Sequence, residues 1–261
     1  MPRLFIFGLG YSASHIASAF TAAGWEVVST GRNGDVRFDD AGTVREALAD
    51  CGHVLSSVQP DGTGLDPVLA TYGDALGGKW LCYLSATGVY GDCGGAWVDE
   101  TAQLASTRRA ARSDCDAQWF ERGARVLRLP GIYGPGRSAL DRVQQGKAHR
   151  IDLPEQVFSR VHVADIARGV LAALNGPAGA YNLADDLPCG QNAVIEEACR
   201  LLAAGWPPMQ RLEAANLSPP ARAFYAENRR VANGKAKREL GWAPLYPSYR
   251  EGLRAIFSDE A

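Results

Sequence analysis

Short apolar runs and amphipathic stretches alternate through the first two thirds of this chain. Consecutive apolar residues predict buried strands at 4–7, 26–30, 36–38, 53–57, 80–85 and 126–129. Between them, over 12–22, 43–49, 65–76 and 108–121, apolar residues recur at the spacing of one helical face. A parallel strand that follows a helix is reached by crossing over the sheet. The pattern therefore predicts an α/β fold, a doubly wound parallel sheet with helices on both faces. Ligands of such sheets collect beyond the carboxyl ends of the strands.

After Leu129 the texture changes. Residues 130–136, Pro-Gly-Ile-Tyr-Gly-Pro-Gly, predict a loop, followed by a helix at 140–147, an extended piece at 157–163 and a helix at 165–174. Beyond Pro177 the segments are short and broken by Pro and Gly. We expect a sheet domain over 1–175 and a smaller C-terminal cap region over 176–261, part of which returns to the sheet domain.

The first strand runs into Gly8-Leu9-Gly10-Tyr11-Ser12-Ala13. Gly8 permits a tight turn, and Gly10 lets the main chain approach a pyrophosphate with no side chain between. Ala13 is small enough for the new helix to pack on its strand. The free N–H groups of the helix start, at Tyr11 and Ser12, then face the phosphates along the helix dipole. A glycine pair after a strand is by itself only a turn. Here it opens a strand–helix–strand unit of about 30 residues, the setting of a Rossmann dinucleotide site.

The second strand ends in Ser29-Thr30-Gly31-Arg32-Asn33, with no carboxylate at its tip for the adenosine ribose. Arg32 can meet a 2′-phosphate through charge-assisted forked bonds, so NADP(H) is expected over NAD(H), with Thr30 in the same site. Asp35 and Asp39 keep NAD(H) open, and Arg32 as a solvated turn residue is the plain alternative.

Composition narrows the partner. The 27 Lys and Arg nearly balance 29 Asp and Glu, mixed along 261 residues, which points away from nucleic acid and membrane and toward a small molecule. Cys51, Cys82, Cys93, Cys115, Cys189 and Cys199 form no C-x-x-C pair, and the histidines form no H-x-x-x-H pair. No metal site is expected, and buried free thiols are. No apolar run reaches the roughly 18 residues of a membrane span. Met-Pro-Arg leads into the first strand without a signal-peptide layout, so the expected location is cytoplasmic.

Several further stretches stand in one order along the chain: Leu84-Ser85-Ala86-Thr87-Gly88-Val89-Tyr90-Gly91, Arg128-Leu129-Pro130-Gly131-Ile132-Tyr133-Gly134-Pro135-Gly136, and Ser159-Arg160-Val161-His162-Val163-Ala164-Asp165. Tyr181-Asn182-Leu183-Ala184-Asp185-Asp186 and Lys237-Arg238-Glu239-Leu240-Gly241-Trp242 follow. With the N-terminal glycines they resemble the extended short-chain dehydrogenase/reductases, the superfamily of nucleotide-sugar epimerases and dehydratases. The resemblance is to an atypical subgroup described as NAD-dependent epimerase/dehydratase proteins. It implies that the 84–90 run lies beside the nicotinamide and Pro130, Gly131 and Ile132 lie against its carboxamide side. Ser57 and Val58, closing the third strand, join the cofactor-facing set. Tyr133, Arg160 and His162 would surround the substrate, and a homodimer through sheet-flanking helices is implied.

The superfamily's acid/base pair is a tyrosine with a lysine four residues later, whose charge lowers the phenol pKa. This chain has none, since Ala75, Val143, Val231 and Asn233 precede its lysines at that distance. The corresponding helix reads Ser106-Thr107-Arg108-Arg109-Ala110-Ala111-Arg112, with arginines near both catalytic positions. Tyr90 is one substitute proton donor, and Ser85 and Thr87 can hydrogen-bond a reacting oxygen; simple packing and capping are the alternatives. Arg108 and Arg112 share a helical face that can clamp an anion or stand solvated, but arginine stays protonated and is no general base. Tyr133 and Arg137 are separated by helix-breaking Gly and Pro, whereas Tyr225 and Arg229 are compatible with a helix. Arg160 and His162 share one face of an extended segment and can line the pocket, or His162 is structural.

The expected activity is an oxidoreductase or epimerase/dehydratase acting on a small hydroxyl- or keto-bearing substrate, with a non-standard catalytic set. The alternative is a non-catalytic NADP(H)-binding redox sensor or partner-binding protein.

Overall fold

In the computed structural model, residues 1–105 and 110–260 are described. Arg3–Phe7 (β1) leads into Tyr11–Ala22 (α1), Glu26–Ser29 (β2), Ala41–Ala49 (α2) and His53–Ser56 (β3). Pro67–Tyr72 (α3), Trp80–Ala86 (β4), Trp97–Val98 (β5), Ala110–Glu121 (α4) and Arg125–Leu129 (β6) follow. Next come Gly131–Tyr133 (β7), Ala139–Gln144 (α5), Arg150–Ile151 (β8), Arg160–His162 (β9), Val163–Ala173 (α6), Gly179–Asn182 (β10) and Gln191–Leu201 (α7). Met209–Gln210 (β11), Pro219–Phe224 (α8), Arg230–Val231 (β12), Gly234–Leu240 (α9) and Tyr249–Glu260 (α10) complete the chain.

Six parallel strands form the main sheet in the order β10-β6-β4-β3-β1-β2. β1 lies between β2 and β3, with Leu4 opposite Val27 on one side and His53 on the other. The winding reverses at β1 and β3, and that reversal opens a crevice at their carboxyl ends. Alternation along β1 divides the core: Leu4 and Ile6 face α1 and α6, where they meet Ile16, Phe20, Ile166 and Val170. Phe5 and Phe7 point the opposite way, toward Val44, Leu48, Tyr72 and Trp119 of the helices on the other face. Trp119 stacks on Tyr83 at 5.4 Å between centroids. Its indole N–H donates to Asp66, whose other oxygen caps the start of α3.

The doubly wound sheet agrees with the sequence pattern, with two local departures. The 36–38 strand is reduced to one bridge, Val36 to Thr30. Within the 130–136 loop, Gly131–Tyr133 is a strand paired in parallel with Arg160–His162. Beyond Pro177, β10 returns to the sheet edge beside β6, and the long helices α7 and α10 pack a separate core with Tyr133, Leu140 and Val194. Among the described residues, no helix is long and apolar enough to cross a membrane.

Candidate functional site

The crevice is built around Gly8 and Gly10. Gly8 has φ +85°, and a Cβ there would lie 3.0 Å from Ser57 Oγ and 3.1 Å from Val58 Cγ2. Its N–H donates to Thr30 Oγ1 at 3.1 Å, its carbonyl accepts from Ser57 Oγ, and Leu9 N donates to Thr30 O at 2.7 Å. Thr30, Ser57 and Val58 therefore brace the turn from both sides. Gly10 is the opposite case, because a Cβ there would meet nothing within 4 Å. It caps α1 with no side-chain hydrogen bond, and the first turn holds no acidic residue. An uncapped helix start over open space, free of negative charge, fits a pyrophosphate. Ser12 is half-buried on that first turn, and Ala13 is packed into the core. Tyr11 reaches outward, donating to Pro135 O at 3.0 Å beneath the Arg137 guanidinium.

At the end of β2, Asp35 turns back and accepts from Ser29 N at 2.8 Å and Ser29 Oγ at 2.9 Å. Asp39 is paired with Arg37. Gly34 closes this loop so tightly that a Cβ would sit 2.6 Å from the Thr30 carbonyl carbon. Arg32 is exposed and has no ion pair among the described residues.

The end of β4 holds a buried polar network. Ser85 Oγ donates to Asp116 Oδ2 at 2.6 Å. Asp116 takes both Nε (3.0 Å) and Nη2 (2.7 Å) of Arg128. Arg128 Nη1 donates to the Tyr90 hydroxyl at 3.0 Å, and that hydroxyl donates to Asn182 Oδ1 at 2.8 Å. Burial pushes the Tyr90 phenol up to about 12. Tyr90 and Ser85 thus join β4, α4, β6 and β10 together, and the Tyr90 hydroxyl proton is engaged with Asn182 Oδ1. Thr87 differs, since its side chain has no hydrogen bond among the described residues. It lines a cavity of about 140 Å³ with Pro130, Gly131, Ser159, Phe224 and Arg229.

A second cavity, of about 470 Å³, lies on the far side of Gly131 and Phe224, which line both. Ile132, Tyr133, Arg160 and Tyr225 border it. Tyr133 presents its ring there while its hydroxyl reaches toward Ser248 O at 3.4 Å. Arg160, 6% exposed, donates to Phe158 O, Cys189 O and Gln191 Oε1. His162 departs from the expected substrate set. Its Nδ1 accepts from Ala164 N at 3.2 Å to cap α6, and burial lowers its pKa to about 4. Its ring lies against Tyr133 and Tyr246, not on either cavity. Arg112, on α4, keeps a buried Nε with no hydrogen-bond partner among the described residues. Arg108, its expected companion, lies outside the described residues. α8 stops at Phe224, so Tyr225 and Arg229 are not aligned on a helix: they reach different cavities. Sequence reasoning missed Phe224, Arg229, Arg142 and His149 as lining residues. They come from the cap and α5 region, where spacing gives no register to the sheet. Among the described residues no His, Cys, Asp and Glu cluster is arranged to hold a metal.

No protein-family model matches the sequence. A functionally unknown conserved protein from Silicibacter pomeroyi is 39% identical over 99% of both chains, with TM-score 0.87. UDP-glucose 4-epimerase from Thermotoga maritima superposes with TM-score 0.79 at 18% identity, over 98% of this chain and 97% of that one. A human epimerase family protein with NADPH gives TM-score 0.76 at 15% identity, over 98% and 99%. A 3-diazoavenalumate denitrifying reductase from Streptomyces is 36% identical over 143 residues, 49% of this chain; the match spans 45% of that reductase's length. The chain belongs to one family with the Silicibacter pomeroyi protein, and its fold is that of the NAD-dependent epimerases and dehydratases among the extended short-chain dehydrogenase/reductases.

Proposed function

We propose that this chain is an NADP(H)-dependent enzyme of the oxidoreductase or epimerase/dehydratase type, acting on a small anionic substrate that carries a hydroxyl or keto group. The observation that carries this reading is the unfilled space over Gly10, at a helix start with neither a side-chain cap nor an acidic first turn. The free Arg32, beside two aspartates already engaged elsewhere, supports the 2′-phosphorylated cofactor. The reductase named above, related over part of its length, supports redox chemistry.

The nicotinamide supplies hydride exchange when bound. Pro130 and Gly131 flank its expected place, and the unpartnered Thr87 hydroxyl beside them orients a substrate oxygen. Arg112 lines neither cavity and, being permanently protonated, takes no proton from substrate. Tyr90 and Ser85 hold the strand ends in register. A sensor without catalysis is the second reading, favoured by the commitment of the Tyr90 hydroxyl to Asn182 and Arg128.

Fluorescence titration with NADPH and NADH tests the cofactor site. NADPH is expected to bind more tightly, and Gly10→Glu to abolish binding; unchanged affinity in that variant would remove the site. A screen of carbonyl and sugar-nucleotide substrates for NADPH oxidation then separates the readings, because tight binding with no turnover supports the sensor.

A further inference from the structure

The larger cavity has a charge pattern that the cofactor site does not explain. Arg137, Arg142 and Arg160 line it, and no Asp or Glu does. Arg137 and Arg142 have no ion pair among the described residues. Arg160 is buried, but every group it donates to is neutral: two carbonyls, the Cys189 sulfur and the Gln191 amide oxygen. Its Nη1 hydrogens and one Nη2 hydrogen are used in these bonds. Among the described residues its Nε–H makes no bond and Nη2 makes only the one to Gln191, so donors remain for a carboxylate. Asp185 is close enough to Arg160 to feel its charge, yet among the described residues the two form no ion pair.

The opposite wall is flat and apolar. Phe224 is stacked on Phe158 with centroids 4.0 Å apart and stands partly exposed at the boundary of the two cavities. Tyr225 meets it edge-on, its hydroxyl 3.2 Å from His149 Nε2. Burial and the Arg142 charge hold His149 below the usual imidazole range, so it adds a neutral hydrogen-bonding group. A volume of about 470 Å³ is in the range of small-ligand sites.

We propose that this cavity binds an aromatic carboxylic acid, its ring against Phe224 and Tyr225 and its carboxylate on Arg160 with Arg142 and Arg137 around it. This assignment names the substrate class for the enzyme proposed above and rests on that reading for its role. Binding of the acid and binding of the cofactor are separate measurements, so either can fail alone.

The test is calorimetric titration of the full chain with 4-hydroxycinnamate, its methyl ester and UDP, each with and without NADPH. The acid is expected to bind, and the ester at least tenfold more weakly. Arg142→Gln, at an exposed position, and Arg160→Gln should each weaken the acid about tenfold while NADPH affinity stays as in the parent. Equal binding of acid and ester, or no binding of the acid, overturns the proposal. So does UDP binding more tightly than the acid and weakening in the same two variants, because the cavity then takes a nucleoside diphosphate. Acid binding without any NADPH binding leaves this cavity assigned and removes the enzyme reading instead.

Discussion

The Tyr90 hydroxyl donates to Asn182 Oδ1 at 2.8 Å, joining residues 92 positions apart. Asn182 is itself fixed, its backbone N–H on Glu100 at 2.7 Å and its side-chain amide on Ala232 O at 3.1 Å. The tyrosine that the strand-end motif offers to substrate is thus used to tie the returning strand β10 and the cap to the sheet. Family spacing suggests a catalytic residue here, and its hydrogen bonds to Asn182 and Arg128 give it a structural part.

Tyr90→Phe separates these roles. Losing the hydroxyl leaves Asn182 Oδ1 and one Arg128 N–H without that partner, a loss of about 1–3 kcal/mol. Urea denaturation should show this loss, with NADPH affinity unchanged and turnover reduced less than tenfold. A general acid would cost about 10²–10⁴ in rate, so a drop of that size returns Tyr90 to the chemistry.

Asp116 and Arg128 form the most deeply buried ion pair of the described residues, 0% and 5% exposed at 2.7 Å. Arg128→Leu or Asp116→Asn should cost roughly 3–5 kcal/mol, because each leaves its partner unbalanced in a medium that solvates charge poorly. Asp116→Asn with Arg128→Leu removes both charges and should be less destabilised than the sum of the two single losses. Additive losses in denaturation midpoints would mean the two charges are not coupled.

β1, β3, β4 and β6 are legible in the sequence because each carries an apolar run long enough to be buried on both faces. The corner at Gly8 and Gly10 is legible because few residue types permit that turn. β10 is not, since Gly179-Ala180-Tyr181-Asn182 is too short to show a period and borrows its register from β6. The site divides in the same way. Gly8, Gly10 and Ala13 can be placed from local pattern, whereas the Arg128–Tyr90–Asn182 network and the Arg142, His149 and Phe224 lining depend on contacts made only after the cap has folded back.

Arg32→Ala tests cofactor choice. With Asp35 held by Ser29 and Asp39 by Arg37, Arg32 is the free charge at the end of β2. Losing a charge-assisted contact to a phosphate should weaken NADPH at least tenfold, about 1.4 kcal/mol, and leave NADH within twofold. Equal weakening of both cofactors would place Arg32 on a phosphate they share.

Stability against pH follows from two buried groups with opposite signs. Asp185 is 2% exposed, and burial raises its pKa to about 7. Between about 4 and 7 the unfolded chain has lost this proton while the native chain keeps it, so the group's contribution falls as pH rises through that window. His162, lowered to about 4 by burial, acts in reverse. Unfolded histidine is protonated below about 6.5, so its contribution falls as pH drops from there toward 4. Asp185→Asn removes the first slope, and its Tm relative to the parent should rise from pH 5 to about pH 7 and level off above it, by an amount that corresponds to at most roughly 3 kcal/mol. A Tm difference that is flat across this range would mean Asp185 is ionised in the native chain and finds a partner in solution.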